Sequence, residues 1–209
     1  MTKIKLCGLM RPEDAEAANE LKPDFAGLVF WERSRRFVDQ DQAKLLRQIL
    51  DPSIPVVGVF VDQPMDRILE LLNQDILQMA QLHGHESEEE LNYLKVRSGR
   101  PVIRAVKVRS EKDLLFARHS AADYILLDNG TGTGETFDWT LMDDRLARPI
   151  FLAGGLNEEN VKDAICRYHP YAVDVSSGIE TEGRKDPEKM KRFVRAVREA
   201  DEKCRRIHR

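Results

Sequence analysis

Short apolar segments alternate with longer segments of helical periodicity along the whole chain, and this alternation restricts the possible folds more than any other feature of the sequence. The apolar segments predict eight strands: Ile4–Cys7, Phe25–Phe30, Val56–Val61, Leu77–Leu82, Pro101–Val106, Tyr124–Leu127, Pro149–Ala153 and Ala172–Val175. The intervening segments predict eight helices, which begin at or lie near Arg11, Asp41–Leu50, Met65–Leu72, Glu86, Glu111–Arg118, Trp139, Asn157 and Asp186–Lys203.

Strands that are separated by helices pair in parallel, because a parallel crossover needs a dozen or more residues. The 209 residues provide about 26 residues for each strand–helix unit, close to the ~30 residues of a βαβ unit. The sequence therefore predicts an α/β fold, a closed (β/α)8 barrel that forms a single domain over residues 1–209. An open doubly wound sheet is the alternative, although no G-x-G-x-x-G motif follows the first strand.

Composition excludes several classes of protein. The formal net charge of −3 gives no general attraction to nucleic acid or to anionic lipid. No run of about 18 apolar residues is present, and Met1–Cys7 lacks the pattern of a signal peptide. We therefore expect a cytoplasmic protein that binds neither nucleic acid nor a membrane.

The three cysteines, Cys7, Cys166 and Cys204, are odd in number and widely spaced. This predicts free thiols in a reducing compartment rather than a disulfide framework or a zinc site. The histidines and acidic residues lack the H-x-H or H-E-x-x-H spacing of metal ligands, so we expect no metal site. Cys166 and Cys204 are interpreted as structural or incidental residues of helices.

A thiol and several polar side chains stand at or just beyond the predicted strand ends, where (β/α)8 barrels carry their functional sites. These residues are Cys7, Arg36, His83, Asp128 and Asp174. Structural interpretations exist too: a small buried cysteine, a solvated arginine, a core histidine and a turn carboxylate. Their occurrence on one predicted rim favours a functional site.

Alternation along the first strand places Lys5 and Cys7 on the same face. A lysine inside the barrel needs an anionic partner, which Asp174 or Asp128 can supply. The nearby cation is expected to lower the pKa of Cys7 and so favour its thiolate.

Small residues follow the last two strands: Gly154 and Gly155 after the seventh, and Ser176, Ser177 and Gly178 after the eighth. Loops at these two positions commonly bind phosphate through backbone amides, and the alternative is two ordinary glycine turns. A third glycine-rich loop, at residues 130–134, is interpreted as a lid or as a second set of phosphate-binding amides.

The sequence resembles the phosphoribosylanthranilate isomerases. The similar segments follow the family's order over nearly the whole chain: Lys5–Asp14, Gln81–Gly84, Leu127–Asp128, Gly132–Trp139, Leu152–Asn157 and Val173–Glu180. The chain departs from the family pattern at Trp31–Arg33, where members often have a proline and a lysine, and at Met10, which replaces a common threonine.

The resemblance implies an enzyme of tryptophan biosynthesis that rearranges N-(5-phosphoribosyl)anthranilate, an aminoaldose, into the 1-deoxyribulose 5-phosphate aminoketose without a cofactor. It implies that Cys7 is the base that removes the C2 proton and Asp128 the acid that opens the furanose ring. Arg36 matches a residue that meets the anthranilate carboxylate, while His83 and Asp174 match pocket residues. The small residues after the seventh and eighth strands match the phosphate cradle.

Two other functions stay open from the residues alone. Another phosphosugar barrel enzyme, such as a pentose-phosphate epimerase, would be expected to show a metal site. A non-catalytic barrel that binds a phosphorylated metabolite would be expected to lack Cys7 or Asp128, and both are present. The expected partner is a small phosphosugar molecule, and a monomer is the working expectation.

Overall fold

The computed structural model describes residues 1–128 and 148–207, and eight of its strands form a closed parallel barrel. The strands are β1 (Lys3–Cys7), β2 (Phe25–Val29), β3 (Val56–Phe60), β4 (Met79–Leu82), β5 (Val102–Lys107), β6 (Tyr124–Asp128), β7 (Ile150–Leu152) and β8 (Ala172–Val175). Each pairs with its neighbours along the chain, and β8 pairs with β1. Closure leaves no barrel strand with an unpaired edge, and the predicted (β/α)8 barrel is confirmed.

Helices connect most of the strands. They are α1 (Pro12–Leu21), α2 (Gln40–Ile49), α3 (Met65–Asn73), α4 (Glu88–Ser98), α5 (Glu111–His119), α6 (Val161–Tyr168) and α7 (Pro187–Ile207). The predicted helix near Trp139 and the glycine-rich loop at residues 130–134 lie outside the described residues. No helix within the described residues is long and apolar enough to cross a bilayer.

Most boundaries differ from prediction by one to four residues, and the short elements after β8 were missed. Strand β4 begins at Met79 rather than Leu77, because the amide of Leu77 instead donates to the carbonyl of Leu71 at the end of α3. Helix α7 continues to Ile207, beyond the predicted end. A short 3-10 turn (Ser177–Ile179) and a two-stranded hairpin, β9 (Glu180–Thr181) and β10 (Arg184–Lys185), follow β8. Two-residue strands are too short to produce a periodic signal.

Alternation along the strands divides the apolar residues between two cores. One core lies between the strands and the surrounding helices, and the other fills the barrel. The barrel core consists of Phe25, Val57, Met79, Ile103, Ala105, Leu126, Phe151, Ala153 and Ala172. Tyr124 and Tyr171 pack against it. Bulky side chains therefore fill the interior of the barrel towards its amino end. Polar side chains that could form a site are left at the carboxyl end.

A disulfide joins Cys166 of α6 to Cys204 of α7. The expectation of three free thiols was wrong: of the described cysteines, only Cys7 is unpaired. The error arose because spacing along the sequence says nothing about adjacency, and α6 and α7 pack side by side. The cysteine count consequently gives no support to a reducing compartment.

The disulfide closes a loop of 38 residues, and we expect it to stabilise the last helix pair. Chain-entropy arguments give about 2–4 kcal/mol for a loop of this size. Cys166→Ser should lower the free energy of unfolding by that order, measured by urea denaturation without reductant. Cys204→Ser and the double variant should lose the same amount, since all three lack the same bond. Equal stability of the unsubstituted chain with and without dithiothreitol would contradict the disulfide.

Candidate active site

A cavity of about 1010 Å³ lies at the carboxyl end of the barrel. Pockets for small ligands usually have volumes of about 300–1,000 Å³, so this cavity is large enough for a small-molecule ligand. Nine of the ten predicted site residues line it: Cys7, Arg36, His83, Asp128, Gly154, Gly155, Asp174, Ser176 and Ser177. Gly178 is the exception.

A buried ion pair lies inside the barrel beneath the cavity. The Nζ of Lys5 is 3.0 Å from Oδ1 of Asp174, and both side chains are nearly inaccessible to solvent. The same ammonium donates to Oε1 of Gln81 at 3.0 Å. Burial disfavours the charged form of Lys5, but the charges of Asp174 and Cys7 outweigh it and raise the pKa of Lys5. The prediction that Asp174 or Asp128 would balance Lys5 is confirmed for Asp174.

The thiol of Cys7 is buried at the end of β1, and the neighbouring strand makes room for it. A Cβ on Gly27 of β2 would lie 2.7 Å from Sγ of Cys7, which is closer than packed atoms approach. Burial raises the pKa of the thiol, and Lys5 and Lys185 lower it without reversing the direction. Lys5 lowers the pKa of Cys7 as expected, but the net pKa is raised rather than lowered, because desolvation of the thiolate exceeds the attraction of the two lysines.

A chain of polar contacts leads from Lys5 across the cavity to Asp128. An ammonium can only donate, so Lys5 orients the amide of Gln81 with its oxygen towards Nζ and its NH2 group towards His83. Gln81 Nε2 is 3.3 Å from Nδ1 of His83, and His83 Nε2 is 3.4 Å from Oδ2 of Asp128. With Nδ1 as the acceptor, the ring proton of a neutral His83 lies on Nε2, facing Asp128.

The loops after β7 and β8 meet at the cavity wall. Gly154 and Gly155 have φ values of 89° and 70°, in the left-handed region that glycine adopts without strain. Gly178 lies behind the wall, where any Cβ would overlap the carbonyl oxygen of Leu156. Its part is therefore to let the two loops approach each other rather than to face the cavity.

Arg36 reaches the cavity from the loop after β2 and is paired on its other side with Glu180 of β9. Its Nε lies 2.6 Å from Oε1 of Glu180, and its Nη2 lies 2.9 Å from Oε2. Arg35 and Lys185 also contact this carboxylate, each at 2.7 Å. Arg36 and Lys185 outweigh the penalty of burial and lower the pKa of Glu180 to about 2.

Sequence reasoning missed Gln81, Glu180 and Lys185 as site residues. Gln81 had a usable signal, because it precedes His83 by two residues and so shares its face of β4. Glu180 and Lys185 had none, since their pairing depends on the short hairpin β9–β10. Where the structure describes the chain, no group of three or more His, Cys, Asp or Glu residues is arranged to hold a metal ion.

Comparison with known proteins gives one consistent family. Residues 4–196 match the sequence model of the family described as N-(5'phosphoribosyl)anthranilate (PRA) isomerase. The N-(5'-phosphoribosyl)anthranilate isomerase of Thermoanaerobacter sp. (strain X514) is 43% identical over 204 residues, which is 95% of this chain and 98% of the relative. That of Acetivibrio thermocellus is 44% identical over 214 residues, covering 96% and 98%.

Solved structures agree in fold. The phosphoribosyl anthranilate isomerase of Thermotoga maritima superposes with a TM-score of 0.88 at 38% identity, covering 95% of this chain and all of that one. A phosphoribosyl anthranilate isomerase in complex with reduced 1-(o-carboxyphenylamino)-1-deoxyribulose 5-phosphate superposes with a TM-score of 0.86 at 37% identity and the same coverage. A structure of monomers generated from the dimeric Thermotoga maritima protein superposes with a TM-score of 0.85 at 37% identity, again with this coverage.

The buried pair of Lys5 and Asp174 gives a test of the site's electrostatics. Asp174→Asn should lower the free energy of unfolding by about 3–5 kcal/mol in urea denaturation, because it leaves a buried ammonium without a counter-charge. Replacing both residues, as Lys5→Met with Asp174→Leu, should restore most of the loss, since no charge then remains buried. A loss below about 1 kcal/mol for Asp174→Asn would show that the pair is not buried as described.

Proposed function

The chain belongs to the N-(5'-phosphoribosyl)anthranilate isomerase family, and we propose on that basis how its cavity carries out the family's reaction. It is an enzyme of tryptophan biosynthesis that converts N-(5'-phosphoribosyl)anthranilate into 1-(2-carboxyphenylamino)-1-deoxyribulose 5-phosphate by an Amadori rearrangement. The observation that carries the proposal is that a buried thiol and a carboxyl group, Cys7 and Asp128, face one cavity.

Asp128 is proposed as the acid. It gives a proton to the furanose ring oxygen, the bond from that oxygen to C1 breaks, and the nitrogen lone pair forms a C1=N Schiff base. His83 lies 3.4 Å from the carboxyl group and, as a neutral donor through Nε2, would hold it towards the ring. Proton transfer by a positioned group of this kind typically contributes about 10²–10⁴-fold to the rate.

Cys7 is proposed as the base. Its thiolate takes the proton from C2, the electrons of the C2–H bond form a C1=C2 double bond, and the π electrons of C1=N return to nitrogen to give an enamine that is also an enol. Protonation at C1 and loss of the enol proton then produce the ketone. Lys5 and Lys185 favour the thiolate electrostatically, while Asp174 and burial oppose it. No electrons are gained or lost overall, so the proposal needs no redox cofactor.

The two charged ends of the substrate give its orientation. The backbone N–H groups of Gly154 and Gly155 donate to no acceptor among the described residues, and Ser176 and Ser177 line the same wall. We assign the phosphate to these residues, with Gly178 shaping the loop. The anthranilate carboxylate is assigned to Arg36, since a planar guanidinium fits a carboxylate.

Every residue assigned here comes from one chain, so we propose that a monomer is active and that residues 1–209 act as a single domain. The substrate carries a phosphate and a carboxylate and does not cross membranes unaided, which supports a cytoplasmic location. Neither nucleic acid nor a membrane has a part in the reaction.

Substitutions at the proposed acid and base give the main functional test. Cys7→Ala and Asp128→Asn should each lower kcat by about 10²–10⁴-fold, because each removes a proton-transfer group. The fluorescence of the anthranilate-linked substrate reports turnover. Product binding and the circular dichroism spectrum should stay unchanged.

A matched control for the acid lies away from the cavity. Asp163→Asn makes the same carboxyl-to-amide change on the exposed face of α6 and should leave kcat within about twofold. Cys204 offers no such control for Cys7, because its replacement breaks the disulfide. Near-normal kcat for Cys7→Ala would reject the assigned base, and a loss accompanied by unfolding would count against it equally.

The raised pKa of Cys7 predicts the pH dependence. Only the thiolate is alkylated, and its fraction grows with pH, so the rate of iodoacetamide alkylation at Cys7 should rise through a pKa above the usual value of about 8.5 for a cysteine. Cys7→Ala should remove that alkylation. The same rise is not expected in kcat/KM, because the reaction also needs Asp128 in its protonated form. Alkylation with a midpoint below pH 8 would contradict the raised pKa of Cys7.

A further inference from the structure

Beyond the acid, the base and the substrate contacts, we propose that Glu180 is a positioning residue that holds the guanidinium of Arg36 in the orientation that receives the substrate's carboxylate. The inference rests on the proposed function, because it takes Arg36 as the carboxylate's partner. Glu180 itself lies behind Arg36 and does not line the cavity.

Glu180 holds Arg36 by a two-point contact. Nε and Nη2 of the guanidinium donate to the two carboxylate oxygens at 2.6 and 2.9 Å. The Glu180 side chain is only 3% exposed and that of Arg36 is 20% exposed. Two parallel hydrogen bonds determine the plane of the guanidinium as well as its position, which a single ion-pair contact does not.

The pairing leaves donors for a ligand. A guanidinium has five N–H bonds, and Glu180 takes two of them. Among the described residues no other acceptor bonds to the guanidinium of Arg36, so both N–H bonds of Nη1 and one of Nη2 remain. Because Arg36 lines the cavity, these donors are available to an anion there.

Arg36 and Glu180 are each restrained from other directions. A Cβ on Gly8 would overlap Cδ of Arg36, so the arginine stem lies directly on the backbone that follows Cys7. Glu180 is bonded by Lys185, its partner in the hairpin β9–β10, and Lys185 also donates to the carbonyl of Ser176 at 2.9 Å. The hairpin therefore connects the orientation of Arg36 to the loop that follows β8.

The charge of the cluster favours an anion at Arg36. Three basic side chains, Arg35, Arg36 and Lys185, share the single carboxylate of Glu180. Since this carboxyl group keeps its charge down to about pH 2, its two-point contact with Arg36 persists over any practical pH range of an assay. If Glu180 only neutralised the positive charge of these basic side chains, it would weaken anion binding, and its replacement would tighten binding. If Glu180 positions Arg36, it strengthens anion binding, and its replacement should weaken binding.

The experiment compares Glu180→Gln, Glu180→Asp, Arg36→Met and the double variant Glu180→Gln with Arg36→Met. Glu180→Gln should raise KM, and the dissociation constant of the reduced product analogue measured by calorimetry, about tenfold, with kcat within about threefold. Glu180→Asp should also bind weakly, because its shorter side chain keeps the charge and loses the two-point contact. In the Arg36→Met background, Glu180→Gln should raise KM and the dissociation constant by less than about twofold further, since both residues act through one interaction.

The matched control is Glu182→Gln, the same change at an exposed residue of the hairpin turn, which should leave both constants unchanged. Unchanged or tighter binding by Glu180→Gln would overturn the proposal. So would a tenfold loss that persists in the Arg36→Met background, which would indicate a structural role. If the unsubstituted protein binds the analogue but does not turn over substrate, the proposed function fails, and the calorimetric comparison still decides the role of Glu180.

Discussion

The ion pair of Lys5 and Asp174 inside the barrel is the interaction on which the rest of the site depends. A charge buried this deeply persists only when it is paired and hydrogen-bonded, and Asp174 and Gln81 supply both contacts. Because Lys5 can only donate, it determines how Gln81 is oriented and, through it, which nitrogen of His83 faces Asp128. One buried ammonium thus organises both sides of the cavity.

The cavity follows from the way the barrel is filled. Aromatic and aliphatic side chains such as Phe25 and Phe151 occupy the amino end, and polar side chains begin one layer above them, at Lys5. The loop after β7 adds backbone donors at Gly154 and Gly155, and the hairpin β9–β10 adds the cluster around Glu180. The cavity therefore offers backbone donors suited to a phosphate and a guanidinium suited to a carboxylate.

Sequence periodicity predicted the barrel well, because each strand such as Ala172–Val175 is buried and flanked by a helix with its own apolar stripe. Nine predicted site residues line one cavity because strand ends of a parallel barrel converge on one rim. Predictions that depended on contacts distant in sequence were less successful. The Cys166–Cys204 bond, the pairing of Arg36 with Glu180 and the raised pKa of Cys7 all depend on packing, which local pattern does not encode.

A crystal structure with the reduced product analogue tests the assignment of the cavity most directly. The phosphate should lie within hydrogen-bonding distance of the amides of Gly154 and Gly155, and the carboxylate should contact Arg36. Sγ of Cys7 and a carboxyl oxygen of Asp128 should each lie within about 4 Å of the part of the ligand that derives from C1, C2 and the ring oxygen. A reversed ligand, or a thiol remote from those atoms, would contradict the account.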